Sequence, residues 1–230
     1  MAIMAKNDNI KAVVADSAYS NLDNMIEAMY RNFLFFKYPF VQLTRFYSKI
    51  FFGLDPKNVS PENAIKDICR KCSMDYVIFR PPLIYGPDVK ANFLRLIRLA
   101  EKGWPLPLAS INTFRSILYV ENLAHAILTS IQHPEAANQT YLVSDSEISV
   151  PDLINRISHH LGKKVFLFPC PVSFLKLAGK LTGKREVVER LTGSLLIDHS
   201  KLVNELHWQP SVDTDEALNS TINWYKETQL

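Results

Sequence analysis

MDYVIFRPPLIYGPDVKANF, residues 74–93, is the stretch whose reading decides the fold. Tyr76–Phe79 is apolar and rich in strand formers, and Arg80 closes it. Pro81 and Pro82 offer no backbone N–H, so the chain must leave extended. Val89–Lys102 then has Phe93, Leu94, Ile97 and Ala100 at helical spacing, and Gly103 stops it. A buried strand, a turn and a helix in that order predict an α/β protein.

Downstream, Phe114–Tyr119 reads as a short strand, Glu121–Gln132 as a helix and Thr140–Val143 as a strand. Ser149-Val150-Pro151-Asp152 carries a capping signal for a helix to about Leu161. Short strands are expected at Val165–Phe168 and Leu195–Ile197. Helices are expected at Val172–Leu181, Lys184–Leu191 and Ser200–Leu206, with a last one capped by the run Asp213–Glu216. Upstream, Ile10–Ala15 (IKAVVA) suits a strand buried on both faces. Asn21–Phe36 has helical spacing, a second helical run reaches Phe52, residues 53–61 form a loop, and Pro61–Cys72 is a short helix. The expected sheet joins Ile10–Ala15, Tyr76–Phe79 and Thr140–Val143. It is a reduced parallel, partly Rossmann-like sheet with a mainly helical region after about residue 145.

Composition sets bounds. The chain has 230 residues, 47% hydrophobic and 21% charged, which is ordinary for a globular protein. A net charge of +3 gives no argument for nucleic acid. Three cysteines form no disulfide framework, so the expected setting is cytoplasmic. No signal peptide and no membrane span are read from the sequence. The seven glycines are a constraint, because a phosphate-cradling loop uses three of them close together.

Seven ordered blocks carry a family resemblance: RPPLIYGP at 80–87, VKANF at 89–93, GWPLPL at 103–108, FRSILYVENLAHAI at 114–127, TYLVSDSE at 140–147, ERLTGSLLIDHSK at 189–201 and LHWQP at 206–210. Through them, residues 74–230 resemble the C-terminal half of extended short-chain dehydrogenase/reductases. The subgroup is the NAD-dependent epimerase/dehydratases, of the UDP-hexose 4-epimerase type. The resemblance implies that this half holds a UDP-sugar. Asn92 would bond the diphosphate at a helix start, where free N–H groups favour an anion, and Phe93 would be a substrate-binding residue beside it. Arg115 would pair with phosphate and Arg190 would be the second phosphate arginine. Pro107 and Leu108 would wall the uracil, while Pro82 and Leu83 would lie on the nicotinamide side of NAD. Some relatives have Asn where Leu83 stands. A helix-opening Asn also serves simply as a cap, and a surface Arg as a solvated charge.

The family's other half is not in this sequence. No Gly-x-x-Gly-x-x-Gly run occurs, and none of the nine tyrosines has Lys four residues on. NAD is the parent family's cofactor, but its cradle and the proton-transferring Tyr/Lys pair are missing, and no catalytic residue is assigned. Residues 1–68 instead resemble a piece of an α/β-hydrolase, with Met1–Asn9 as the end of its nucleophile helix and IKAVVADSAYSNLDNM as the following strand and turn. No Gly-x-Ser-x-Gly elbow is present, and Ser17 lacks glycine neighbours. The expectation is a fusion of 1–68 with 74–230. It would be inactive alone, with a nucleotide-sugar-binding fragment and an esterase as the alternatives. Exposed apolar surface would favour self-association.

Three further features have bland readings. Cys69-Arg70-Lys71-Cys72 ends a helix, the wrong end for a thiolate, and no metal site is assigned. His159 and His160 are adjacent and point to different faces. Lys176, Lys180, Lys184, Arg185 and Arg190 read as a solvated face, although the resemblance implies that this region closes over the nucleotide. The nine aromatics of 33–52 read as a lid or core segment, with a membrane-surface amphipath as the other reading.

Overall fold

The computed structural model describes residues 2–3, 12–15, 61–183 and 185–228. The chain divides into two compact units: Met1–Arg80 with Ser130–Tyr141, and Pro81–Thr129 with Leu142–Leu230. The expected helices at 21–52, the loop to residue 60 and Ser17 lie outside the described residues.

The first unit is built on a sheet. Its strands are β1 (Ala2–Ile3), β2 (Ala12–Ala15), β3 (Tyr76–Arg80) and β6 (Gln139–Leu142), side by side in that order. β2 and β3 are parallel, with Val13 opposite Val77 and Ala15 opposite Phe79. Val77, Ile78 and Phe79 are all fully buried. Consecutive burial on both faces is what a central parallel strand requires, and it explains the unbroken apolar run. Ala2–Ile3 is a correction to the sequence reading: it is no helix end but a strand antiparallel to β2, Ala2 opposite Val14. Two residues carry too little pattern to show this, because the backbone pairing with β2 creates the strand.

Helix α1 (Pro61–Lys71) precedes β3. Its Glu62 accepts from Lys66 one turn on, and from Arg80 at the end of β3. Burial works to raise the Glu62 pKa, but the two cations outweigh it and hold the carboxyl below its usual range. Cys69 is buried and Cys72 exposed. Burial pushes the Cys69 thiol upward, with Cys72 and Asp75 adding to it, so Cys69 is held as the thiol.

The second unit has its own sheet, ordered β4 (Leu83–Tyr85), β5 (Phe114–Tyr119) and β7 (Ser146–Ser149). β4 runs parallel and β7 antiparallel to β5. Neither β4 nor β7 was expected. Each is three or four residues long, and only its pairing with β5 makes it a strand. The expected strands at 165–168 and 195–197 reduce to single bridges, Leu106 to Leu167 and Arg115 to Leu195.

The helices follow the sequence closely: α2 (Ala91–Glu101), α3 (Val120–Gln132), α4 (Val150–His160), α5 (Val172–Leu181), α6 (Arg185–Thr192), α7 (Ser200–Leu206) and α8 (Thr214–Thr228). Their caps do what the residue types predict. Ser149 Oγ accepts from Asp152 N at 3.2 Å, and Asp213 Oδ1 accepts from Asp215 N at 2.6 Å and Glu216 N at 3.2 Å. Phe93, Ile97 and Ala100 of α2, Ile154 and Ile157 of α4, and Ala217, Leu218 and Ile222 of α8 are fully buried in one core with Ile117 and Tyr119. Tyr85 stacks on Phe93 at 5.0 Å. Gly86, which follows Tyr85, has φ +151°, and a Cβ there would meet Val120 Cγ1 at 2.5 Å. No other residue fits that approach.

Candidate functional site: an arginine-rimmed cavity

A cavity of about 280 Å³ opens in the second unit. Its floor is apolar: Leu83 from β4, Leu96 and Leu99 from α2, Ile117 from β5, and Ile148 and Leu153 behind them. Its polar groups are Asn92, Arg95, Arg115 and Arg190. Among the described residues no carboxylate lines it. Guanidiniums around an apolar floor suit an anion that carries an apolar or ring-shaped part.

Elements of different kinds aim these groups. Arg115 and Ile117 are two apart on β5 and so face one side of the sheet, and Ile148 stands opposite Arg115 on β7. Asn92 and Arg95 are three apart on α2, hence one above the other on the same helical face. Asn92 lies in the first turn of α2, whose cap residue is Lys90 and has no side-chain cap bond. The Asn92 side chain is therefore not used as a cap, and it is exposed at the cavity.

Arg115 is the best-held of the four. Its Nη2 donates to the Arg190 carbonyl and, at 3.0 Å, to the Gly193 carbonyl. Arg190 lies in the last turn of α6 and Gly193 just past its end, so the guanidinium sits at the negative end of that helix. Burial, and then the charge of Arg190, both lower the proton affinity of Arg115. An arginine keeps its proton regardless, so Arg115 remains a cation at the cavity.

Of the residues singled out in the sequence, the cavity gathers Leu83, Asn92, Arg115 and Arg190. Phe93 is fully buried in the core, beside Tyr85. Leu108 is buried, Pro82 and Pro107 are half-buried, and none of the three lines the cavity. Arg95 was missed. Its signal was present in the sequence, one turn beyond Asn92 on the same face. A second cavity, about 420 Å³ in the first unit, is lined by Lys66, Cys69, Arg70 and Asn138 among others, and contains none of the expected residues.

Residues 59–144 match the NAD dependent epimerase/dehydratase family. The matched segment takes in α1, β3, β4, α2, β5, α3 and β6. The chain is similar to a UDP-glucose 4-epimerase of Vibrio cholerae, 41% identical over 162 residues, covering 70% of this chain and 49% of that protein. In fold it is similar to the UDP-glucose 4-epimerase of Thermotoga maritima solved with UDP-glucose: TM-score 0.52, 18% identity, 74% of this chain and 52% of that one. It is likewise similar to WbmF of Bordetella bronchiseptica, solved with NAD+ and UDP: TM-score 0.51, 23% identity, 70% of this chain and 49% of that one. The chain spans about half the length of the curated relatives it matches.

The sequence holds no Gly-x-x-Gly-x-x-Gly run for an NAD pyrophosphate, and among the described residues no tyrosine or lysine lines the cavity. Tyr85 and Tyr119 are buried; burial raises the pKa of both, and the Tyr119 hydroxyl is engaged with Glu121 and Ser220. Tyr225 donates to Glu101 at 2.7 Å. No hydride or proton step is therefore derived from these side chains. Among the described residues no three His, Cys, Asp or Glu side chains cluster as metal ligands, and no helix is long and apolar enough to cross a membrane.

Proposed function

We propose that this chain forms the nucleotide-sugar-holding half of an epimerase/dehydratase of the UDP-hexose class, and that it does not turn substrate over by itself. The observation that carries this reading is the convergence of Arg95, Arg115, Arg190 and Asn92 on one apolar cavity. Arg115 and Arg190 hold the diphosphate, Asn92 donates its amide at the first turn of α2, and the floor accepts the uracil or sugar ring. Binding needs no more than these groups. Hydride transfer needs the glycine loop and the Tyr/Lys pair, which this sequence does not contain. We further infer that residues 1–68 have a separate, hydrolase-like origin and that the chain works in the cytoplasm.

Calorimetry on the full chain tests the binding. UDP and UDP-glucose should bind with Kd below about 1 mM, and an absence of heat at millimolar ligand overturns the proposal. Epimerisation of UDP-glucose with added NAD should stay at background. Turnover that disappears in Arg115→Ala would overturn the claim of inactivity and leave the binding site standing.

A further inference from the structure

The basic charge of this chain is concentrated in one place. Residues 163–185, KKVFLFPCPVSFLKLAGKLTGKR, hold six Lys or Arg and no Asp or Glu, so the remainder of a +3 chain is net negative. The apolar residues of the same tract are turned outward. On α5, Phe174 is 64%, Leu177 54% and Leu181 79% exposed. These positions are three and four residues apart and make one ridge along the helix. Val172, Leu175 and Ala178, by contrast, are the partly buried side. The helix thus has an inner apolar face and a second, outer one. Lys176 and Lys180 are exposed on the flank between them, with no acidic partner among the described residues. Arg185 is engaged with Glu189.

We propose that α5 docks the protein on an anionic lipid surface, with Phe174, Leu177 and Leu181 entering the interface and Lys176 and Lys180 meeting the headgroups. This face offers apolar side chains in a line, with ammonium groups and the small hydroxyl of Ser173 beside them. A bilayer accepts that arrangement without a pocket. The long lysine stems lie along the apolar boundary while their charges stay in the headgroup layer. The absence of acids from the whole tract removes the repulsion that an anionic leaflet would otherwise impose. The proposal is independent of what the arginine-rimmed cavity binds.

The test is sedimentation of the full chain with phosphatidylcholine vesicles, with and without phosphatidylglycerol. The expected result is binding to the phosphatidylglycerol vesicles only, weakened by salt. Lys176→Gln with Lys180→Gln should weaken it roughly fivefold per lysine removed. Leu177→Gln with Leu181→Gln should abolish it, with both variants melting as the parent does because all four side chains are exposed. Three results overturn the proposal: no binding to either vesicle, equal binding to both, or binding that neither double variant changes. A dimer in solution that Leu177→Gln with Leu181→Gln dissolves would assign the face to a second copy of the chain and overturn it equally.

Discussion

Asn92 and Asn122 carry the same amide in opposite settings. Asn122 is 1% exposed. Its Nδ2 donates to Asp145 Oδ2 at 2.7 Å and to the Val212 carbonyl at 2.9 Å, while its Oδ1 accepts from Ser211 N, Ser211 Oγ and Val212 N. Tyr119 N completes the knot by donating to Asp145 Oδ2 at 2.6 Å. Asn92 is exposed at the cavity and has no such bond among the described residues. A polar group whose every valence is used by its own chain holds the fold; one left open beside arginines is available to a ligand.

Substitution should separate the two roles. The largest effect belongs to Asn122→Ala, which leaves several buried groups unpaired and should cost about 3 kcal/mol or more by chemical denaturation. Its pH dependence is a sharper check. Burial raises the Asp145 carboxyl, and the bond from Asn122 is the main opposing influence. Removing that donor raises the folded-state pKa further. The stability deficit should therefore shrink as pH falls from about 7 to about 5, because protonated Asp145 no longer needs the donor. A deficit that ignores pH would break the knot reading.

Arg115→Ala should come next. Loss of a charge-assisted pair predicts UDP affinity down by roughly 10- to 100-fold in calorimetry, with a smaller loss of stability from the freed end of α6. Asn92→Ala and Arg95→Ala should each weaken UDP by about fivefold and leave denaturation midpoints unchanged. If Asn92→Ala lowers the midpoint as Asn122→Ala does, the contrast between the two asparagines fails. The smallest effect is expected at Glu62→Gln. The folded pKa of Glu62 is lowered, so its contribution is present above the carboxylate's unfolded value and is lost as pH falls through the folded one. The variant should lose about 1 kcal/mol or less near neutral pH and show a flatter acid limb, since Arg80 is about half exposed.

What the sequence made legible, and what it did not, follows the range of the forces involved. Phe114–Tyr119, Val172–Leu181 and Ser200–Leu206 stand in the structure with the expected bounds, because local periodicity and nearby breakers define them. Leu83–Tyr85 and Ser146–Ser149 are strands only because β5 pairs with both, and no local pattern of three or four residues reports a partner some thirty residues away. The same limit applies to the site. Arg115 and Arg190 were found through the family blocks, and their link through the α6 carbonyls is a tertiary fact. Arg95 lies in a plain amphipathic helix, where an exposed arginine is the commonest of sights. Only the cavity distinguishes it.

The two compact units are not consecutive in the chain. The first is assembled from residues 1–80 and 130–141, and the second from 81–129 and 142–230. No single cut separates them. A fragment beginning at Pro81 still carries the Gln139–Leu142 strand, stripped of the Tyr76–Arg80 neighbour beside which it lies. Anyone wishing to express the arginine-rimmed cavity alone must excise that segment and rejoin residues 129 and 142 with a linker, and must expect an exposed strand edge if it is left in place.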